Sequence, residues 1–267
     1  MAQQQPFGDR RVSVVTGAAS GIGSALAAAL SDRGHRVVVS DIDEQAASAT
    51  AQRIGGVSFP CDVADAAQVD SLARFVLNEF GGVDDLFNNA GVGSHGRIDT
   101  MTRDDWAWML GVNLNGVING ITSFLPALRR SEAGGRLVNT CSMSAVAPLA
   151  RLGAYATAKA AVLALSEVLA AEMAEEPDGV TVSAVLAGPV RTRISTSARH
   201  RDASGTYALT DAELTGPIVE HMIEPDDAAA RILRGVDAGE LYIVTHPALG
   251  FRAQARSEAI AEAFSPA

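Results

Sequence analysis

Lysine is nearly missing from this 267-residue chain. Among 21 cationic side chains Lys159 is the single lysine, and every other one is arginine. Arginine is a planar fork and lysine a compact ammonium, so a lone lysine points to chemistry that a guanidinium would not serve. Cysteine is scarce too. Cys61 and Cys141 stand in no paired spacing, which argues against a disulfide framework or a cysteine-based metal site. Positive charge is short overall, and a formal net charge of −10 speaks against nucleic acid or an anionic membrane as partner. No run approaches the roughly 18 apolar residues that a membrane span needs, and the first eleven residues lack a signal-peptide core. A soluble cytoplasmic protein is therefore expected. His95, His200, His221 and His246 are scattered with no ligand spacing, so no metal site is expected. Nor does any repeat, linker or low-complexity block divide the chain.

What is there reads as a globular α/β protein, with 48% hydrophobic and 19% charged residues. Strand-like and helix-like patterns alternate throughout, as parallel βαβ units require. Strands are expected at 12–15, 36–40, 57–61, 85–87, 136–140, 180–186 and 241–244. Helices are expected at 21–32, from 43, at 65–80, 103–130, 154–175 and 225–236, with Pro126 bending the fourth near its end. This predicts one Rossmann-like domain over 1–267, a doubly wound parallel sheet of about seven strands with helices on both faces. A polar, irregular segment at about 191–222 is longer than an ordinary loop and reads as a mobile substrate loop.

Thr16-Gly17-Ala18-Ala19-Ser20-Gly21-Ile22-Gly23 follows the first strand and opens the first helix. Glycines there let the backbone approach a pyrophosphate, whose charge the helix N-terminus meets. The spacing is G-x3-G-x-G, which departs from the standard dinucleotide fingerprint. Asp41 ends the second strand, placed to accept from both ribose hydroxyls of NAD and to repel the extra phosphate of NADP. Neither Ser20 nor Ile42 offers that phosphate a cation. Asp41 and Asp43 both precede a helix and compete for its N-cap, which Asp43 fits better. Asp62 and Asn89 fall at the carboxyl ends of the third and fourth strands, as ligand contacts or as plain turn residues.

Tyr155 and Lys159 differ by four residues, which puts them on one helix face a turn apart. A phenol near its ordinary pKa of about 10 is a poor base at neutral pH. A nearby ammonium, with the positive ring of an oxidised nicotinamide, is expected to lower it.

These residues together resemble the short-chain dehydrogenase/reductase family over nearly the whole chain. Thr16 to Gly23, Asp62-Val63, Asn88-Asn89-Ala90-Gly91, Asn113, Ser142, Tyr155 and Lys159 stand in family order, with Ser142 thirteen residues before Tyr155. The resemblance implies an NAD(P)-dependent oxidoreductase with an Asn113-Ser142-Tyr155-Lys159 site. Tyr155 would be the general acid/base, Ser142 would hold the substrate oxygen, and Lys159 would bind the nicotinamide ribose and relay protons toward Asn113. Ser144 and Asn115 are rivals whose positions fit the family less well. The implied cofactor contacts are Gly17, Ser20, Gly21, Ile22, Gly23, Asp41, Asp62, Val63, Asn89, Ala90, Gly91, Tyr155, Lys159, Val190 and Thr192.

Two departures stand out. After the sixth strand the chain reads Ala187-Gly188-Pro189-Val190-Arg191-Thr192, with the usual proline moved two places on. Cys141 replaces a serine before Ser142 and is expected only to pack. Trp106 and Trp108 are expected as core or interface anchors. The substrate pocket is expected from Ser94, His95, residues 143–152, Leu186 and the segment 193–222. The tail 241–247 resembles members acting on aryl secondary alcohols. Family members are commonly tetramers, so a homotetramer is expected, which a monomeric mass in light scattering would rule out. The leading expectation is an NAD-dependent dehydrogenase interconverting a secondary alcohol and a ketone. A carbonyl reductase working in reverse is the alternative, and a non-catalytic dinucleotide sensor a third, disfavoured because all four site residues are kept.

Overall fold

The computed structural model describes residues 10–176, 179–211 and 217–264. Seven strands are β1 (Val12–Thr16), β2 (Arg36–Asp41), β3 (Val57–Pro60), β4 (Asp85–Asn88), β5 (Arg136–Thr140), β6 (Thr181–Leu186) and β7 (Tyr242–Val244). They form one all-parallel sheet in the order β3-β2-β1-β4-β5-β6-β7. The order reverses beside β1. The crevice at the carboxyl ends of β1 and β4 is thus the switch point where open α/β sheets bind ligands.

The strands are valine-rich on both faces because both faces are covered. Val14, Val38, Leu86 and Leu137 pack under α3 (Ala66–Phe80), α5 (Gly116–Leu128) and the far end of α6 (Gly153–Ala174). Their neighbours Val15, Val39, Phe87 and Val138 point the other way, under α1 (Gly21–Asp32), α2 (Glu44–Ile54) and α8 (Pro225–Asp237). The chain also holds α4 (Arg103–Leu110), a short α7 (Pro217–Glu220) and α9 (Gly250–Glu262).

Three expectations are corrected. The helix expected over 103–130 is interrupted by a π-helical turn at Gly111–Asn115, and Pro126 lies inside α5. An extra residue per turn re-aims the side chains around it, which periodicity alone does not reveal. α9 was not expected: its residues, Phe251 and Ile260 among them, are left unburied rather than packed on the sheet. By length and composition α6 is long and apolar enough to cross a membrane, contrary to the reading of the rows. That helix packs on β6 and the turn after β5.

Candidate active site

α1 begins with a bare N-terminus. Its N-cap Ser20 makes no side-chain cap bond and its first turn holds no acid. Asp43 and Asp65 cap α2 and α3 in the ordinary way. Free N–H groups and the helix dipole therefore face the switch-point crevice. Gly17 and Gly21 have φ of 64° and 55°, and each lies against a neighbour. A Cβ on Gly17 would come within 2.6 Å of Ala90 Cα, and one on Gly21 within 2.8 Å of Thr192 Cγ2. Gly23 is packed beneath, against Gly17 and Asn89.

Asp41 accepts from the N–H groups of Ala19 and Asp43, one per oxygen and both at 3.0 Å. Asp43 in turn accepts from Ala46 N–H, so the capping role falls to Asp43 and leaves Asp41 at the crevice. Asp62 closes a local turn on Ala64 N–H at 2.9 Å. Val63 is buried against Gly116, and its carbonyl accepts from Asn119. The Asn89 amide donates to the carbonyls of Thr16 and Gly17, tying β1 to β4. Sequence reading gave Thr16 no part of its own, yet its hydroxyl accepts from the N–H groups of Asn89 and Ala90.

The chemical end lies on β5, α6 and the π turn. Asn113 is fully buried, its oxygen accepting from Val92 N–H and its amide donating to the carbonyls of Val92 and Met109. A Cβ on Gly91 would meet Asn113 Oδ1 at 3.0 Å and Lys159 Nζ at 3.6 Å, so both sit behind that glycine. Lys159 is 2% exposed and donates to the Thr140 carbonyl at 2.7 Å. Burial pushes its ammonium down to about 8. Ser142 accepts from Ser144 N–H at 3.1 Å and faces Tyr155.

The expected lowering of Tyr155 is not found in the protein alone. Burial raises the phenol above its ordinary value, and Ser142 pulls it part of the way back. Lys159 Nζ stands 5.9 Å from the tyrosine ring centroid and is occupied with Thr140. Cys141 is pushed up to about 12 by burial, so it remains a packed thiol.

One cavity of about 450 Å³ joins the two ends. Gly17, Ser20, Gly21, Ile22, Asp41, Asp62 and Val63 line one part of it. Asn89, Ala90, Gly91, Ser142, Tyr155, Lys159, Val190 and Thr192 line the rest, while Gly23 and Asn113 stand behind the wall. Leu186, expected in the pocket, is instead buried in the core with Val162 and Leu163.

The segment expected to be irregular and mobile is fastened where it is described. Its residues 212–216 lie outside the described ones. His95 and Thr210 exchange backbone bonds at 3.0 Å. The fully buried carboxylate of Asp105 accepts from Ala208 and Leu209 N–H, and Asp104 from Thr206 N–H. Trp106 and Trp108 pack, half-buried, against the core cluster of Val92, Met109, Ala154 and Leu209, and Trp108 also lines the cavity and stacks on Arg201. Arg193, Arg199 and His200 also line it, and the field on His200 includes Asp41 and Asp43. His200, held below its ordinary value chiefly by burial, is thus the side chain of this segment that senses Asp41. At the base of this segment Gly188 N–H donates to Thr245 Oγ1 at 2.9 Å, and Thr245 Oγ1 and His246 Nδ1 are 2.7 Å apart. His246 Nε2 lies 3.0 Å from the His221 carbonyl.

A family model described as short chain dehydrogenase matches residues 11–203. The probable oxidoreductase EphD of Mycobacterium tuberculosis is 42% identical over 193 residues, covering 70% of this chain. The chain spans about a third, 32%, of that relative's length. The C alpha-dehydrogenase of a Sphingobium species is 31% identical over 267 residues, 96% of this chain and 87% of that one. A short chain dehydrogenase/reductase from Burkholderia phymatum, solved in complex with NAD, superposes with a TM-score of 0.88 at 30% identity, covering 99% of this chain and 98% of that chain. With the family model matching well over half of its length, the chain belongs to the short chain dehydrogenase family of oxidoreductases.

Proposed function

We propose that the protein is an NAD-dependent oxidoreductase that interconverts a secondary alcohol and a ketone. The observation that carries this reading is the single cavity running from Asp41 and the bare N-terminus of α1 to Tyr155, Ser142 and Lys159. The residues present fit a dinucleotide. Gly17 and Gly21 keep clear a cradle that side chains would fill, and Asp41 retains lone pairs for ribose hydroxyls. Val190 and Thr192 flank the same crevice from the β6 side. The C alpha-dehydrogenase relative and the NAD complex support the reading by likeness.

Bound there, the nicotinamide supplies hydride acceptance and return. The chain's own residues handle the proton and the substrate oxygen. The Tyr155 phenol takes the hydroxyl proton in oxidation and gives it back in reduction. Burial raises this phenol further above an ordinary value that already lies well above neutrality, so it works as a base only when another positive charge joins the site. Ser142, facing the phenol, holds the substrate oxygen in reach. Lys159 keeps one N–H on Thr140 and has two others for the ribose and for proton relay. Asn113 fixes Val92 and the π turn behind Gly91. The whole chain acts as one catalytic domain, with 191–222 as its substrate segment, assembled as a homotetramer in the cytoplasm.

The test is NADH formation over aliphatic, cyclic and aryl secondary alcohols, with NADP in parallel and Tyr155→Phe as control. Turnover with NAD that drops by roughly 10²–10⁴ in the Phe variant is expected, the span of general acid/base catalysis. Undiminished turnover in Tyr155→Phe would remove the tyrosine from the chemistry.

A further inference from the structure

Among the described buried side chains two polar atoms lack a hydrogen-bond partner, Ser40 Oγ and Arg201 Nε. The second stands behind the cavity wall, against the lining residues Ser94 and Trp108. The Arg201 guanidinium lies 4.5 Å from the Trp108 ring centroid and 4.8 Å from that of Tyr207. No carboxylate of the described residues pairs with it. It donates instead to neutral acceptors, the Leu209 carbonyl at 2.7 Å and Ser94 Oγ at 2.9 Å. Aromatic faces and two neutral oxygens, and no carboxylate of the described residues, thus hold this cation behind the lining residues Ser94 and Trp108.

Ser94 carries that charge to the cavity. It lines the cavity and is only 3% exposed. A serine hydroxyl has one proton to give and two lone pairs to fill. Arg201 fills one lone pair, and no described residue accepts the proton. Ser197, its neighbour in the wall, spends its own proton on the Ile194 carbonyl at 2.6 Å. A buried donor left unmade is costly, and a charged partner strengthens the bond it seeks. Around it the lining is largely apolar, with Leu149, Leu152, Ile194 and Met222.

We infer that Ser94 is a specificity-determining donor, oriented by Arg201, for a second electron-rich oxygen on the substrate. The substrate class is then a secondary alcohol or ketone that also carries a hydroxyl, ether or carbonyl away from the reacting carbon. The inference rests on the dehydrogenase reading for the reacting centre, whereas the Ser94 contact itself is one of binding.

The experiment compares aryl ketones in pairs that differ by a terminal methyl against a hydroxyl at growing distance from the carbonyl. Propiophenone is set against 2-hydroxyacetophenone, butyrophenone against 3-hydroxypropiophenone, and valerophenone against 4-hydroxybutyrophenone. Calorimetry with NADH present gives the dissociation constants, and NADH consumption is followed alongside. In at least one pair the hydroxylated ketone should bind roughly tenfold tighter, since a built donor discriminates against a partner that cannot accept. Ser94→Ala should bring that pair to near equality without weakening the methyl ketone. Arg201→Lys, which keeps the charge and loses the fork, should fall between, and Ser94→Thr should retain the preference. A wild type with no preference in any pair, or a Ser94→Ala protein weakened equally toward both members, overturns the inference. A Ser94-dependent preference without NADH consumption upholds it and sinks the dehydrogenase reading. Turnover without the preference does the reverse, and binding of no ketone overturns both.

Discussion

Exchanging Asp41 for asparagine removes one charge at the adenosine end and touches nothing at the chemical end. The carboxylate is oriented by Ala19 and Asp43 N–H at 3.0 Å each, with its remaining lone pairs toward the cavity. Each ribose hydroxyl donating to it would contribute roughly 1.5–3 kcal/mol, as bonds to charged groups do. Asparagine keeps one acceptor oxygen, so NAD should lose about one such bond, roughly tenfold to a hundredfold in kcat/KM. For NADP the change has the opposite sign. A unit charge about 4 Å from the carboxylate is repelled by about 4 kcal/mol at an effective dielectric constant of about 20. Asp41 is partly exposed, so solvent screening is expected to leave about half of that. Relief of about 2 kcal/mol raises NADP use about 30-fold. Together the NAD-to-NADP preference should shift between about 300-fold and 3,000-fold. Initial rates with both cofactors on one alcohol, for wild type and Asp41→Asn at matched melting temperature, measure it. An unchanged preference would leave Asp41 as a turn residue only and refute the ribose role.

Asp85 offers a contrasting perturbation at the opposite end of the sheet. Burial alone would raise its pKa, but hydrogen bonds from His35, Arg136 and Arg11 hold the fully buried carboxyl well below the usual carboxylate range. Removing one partner of a buried pair costs about 3–5 kcal/mol, and the low end applies because the two arginine side chains are 17% and 21% exposed. Asp85→Asn should lower the melting temperature by roughly 6–12 °C with kcat/KM at 25 °C nearly unchanged, and a drop below about 2 °C would contradict this. The wild-type contribution is full above the unfolded carboxyl value of about 4 and is lost as pH falls further, so the two melting curves should converge in acid. His246 works nearer the site. Burial holds it below its ordinary value, which fits a neutral ring accepting from Thr245 and donating to His221. Its contribution is full above the unfolded value of about 6.5 and is lost below it, as pH falls through the lower folded value. Thr245→Val leaves Gly188 N–H and His246 Nδ1 unpaired, and should raise the KM values severalfold with kcat little changed. A fall in kcat at unchanged KM would show that the relay does not act through binding geometry.

What could be read from the rows was chemistry carried by neighbours in sequence. Both-face valine strands, a glycine turn opening a helix and a tyrosine four residues before a lysine need only one element, or one turn, to be recognised. The parts that escaped depend on the chain returning to itself. Asp105 looks like an ordinary N-terminal helix acid, and it does close a capping box with Thr102. Its second role, holding Ala208 and Leu209, spans about a hundred residues and has no local sign. Arg201 reads as one more solvated arginine until Trp108 and Tyr207 close on it. The π turn hides for a different reason. Asn113 was singled out from a motif, but the turn that carries it adds a residue to the helical repeat, so periodicity predicts the wrong face. The same distinction separates the two halves of the function. Hydride and proton chemistry is shared by many chains and sits in short motifs. The contact we infer for substrate choice joins residues 94, 108 and 201, which no spacing connects, so it emerges only when the segment after β6 folds back over the cavity.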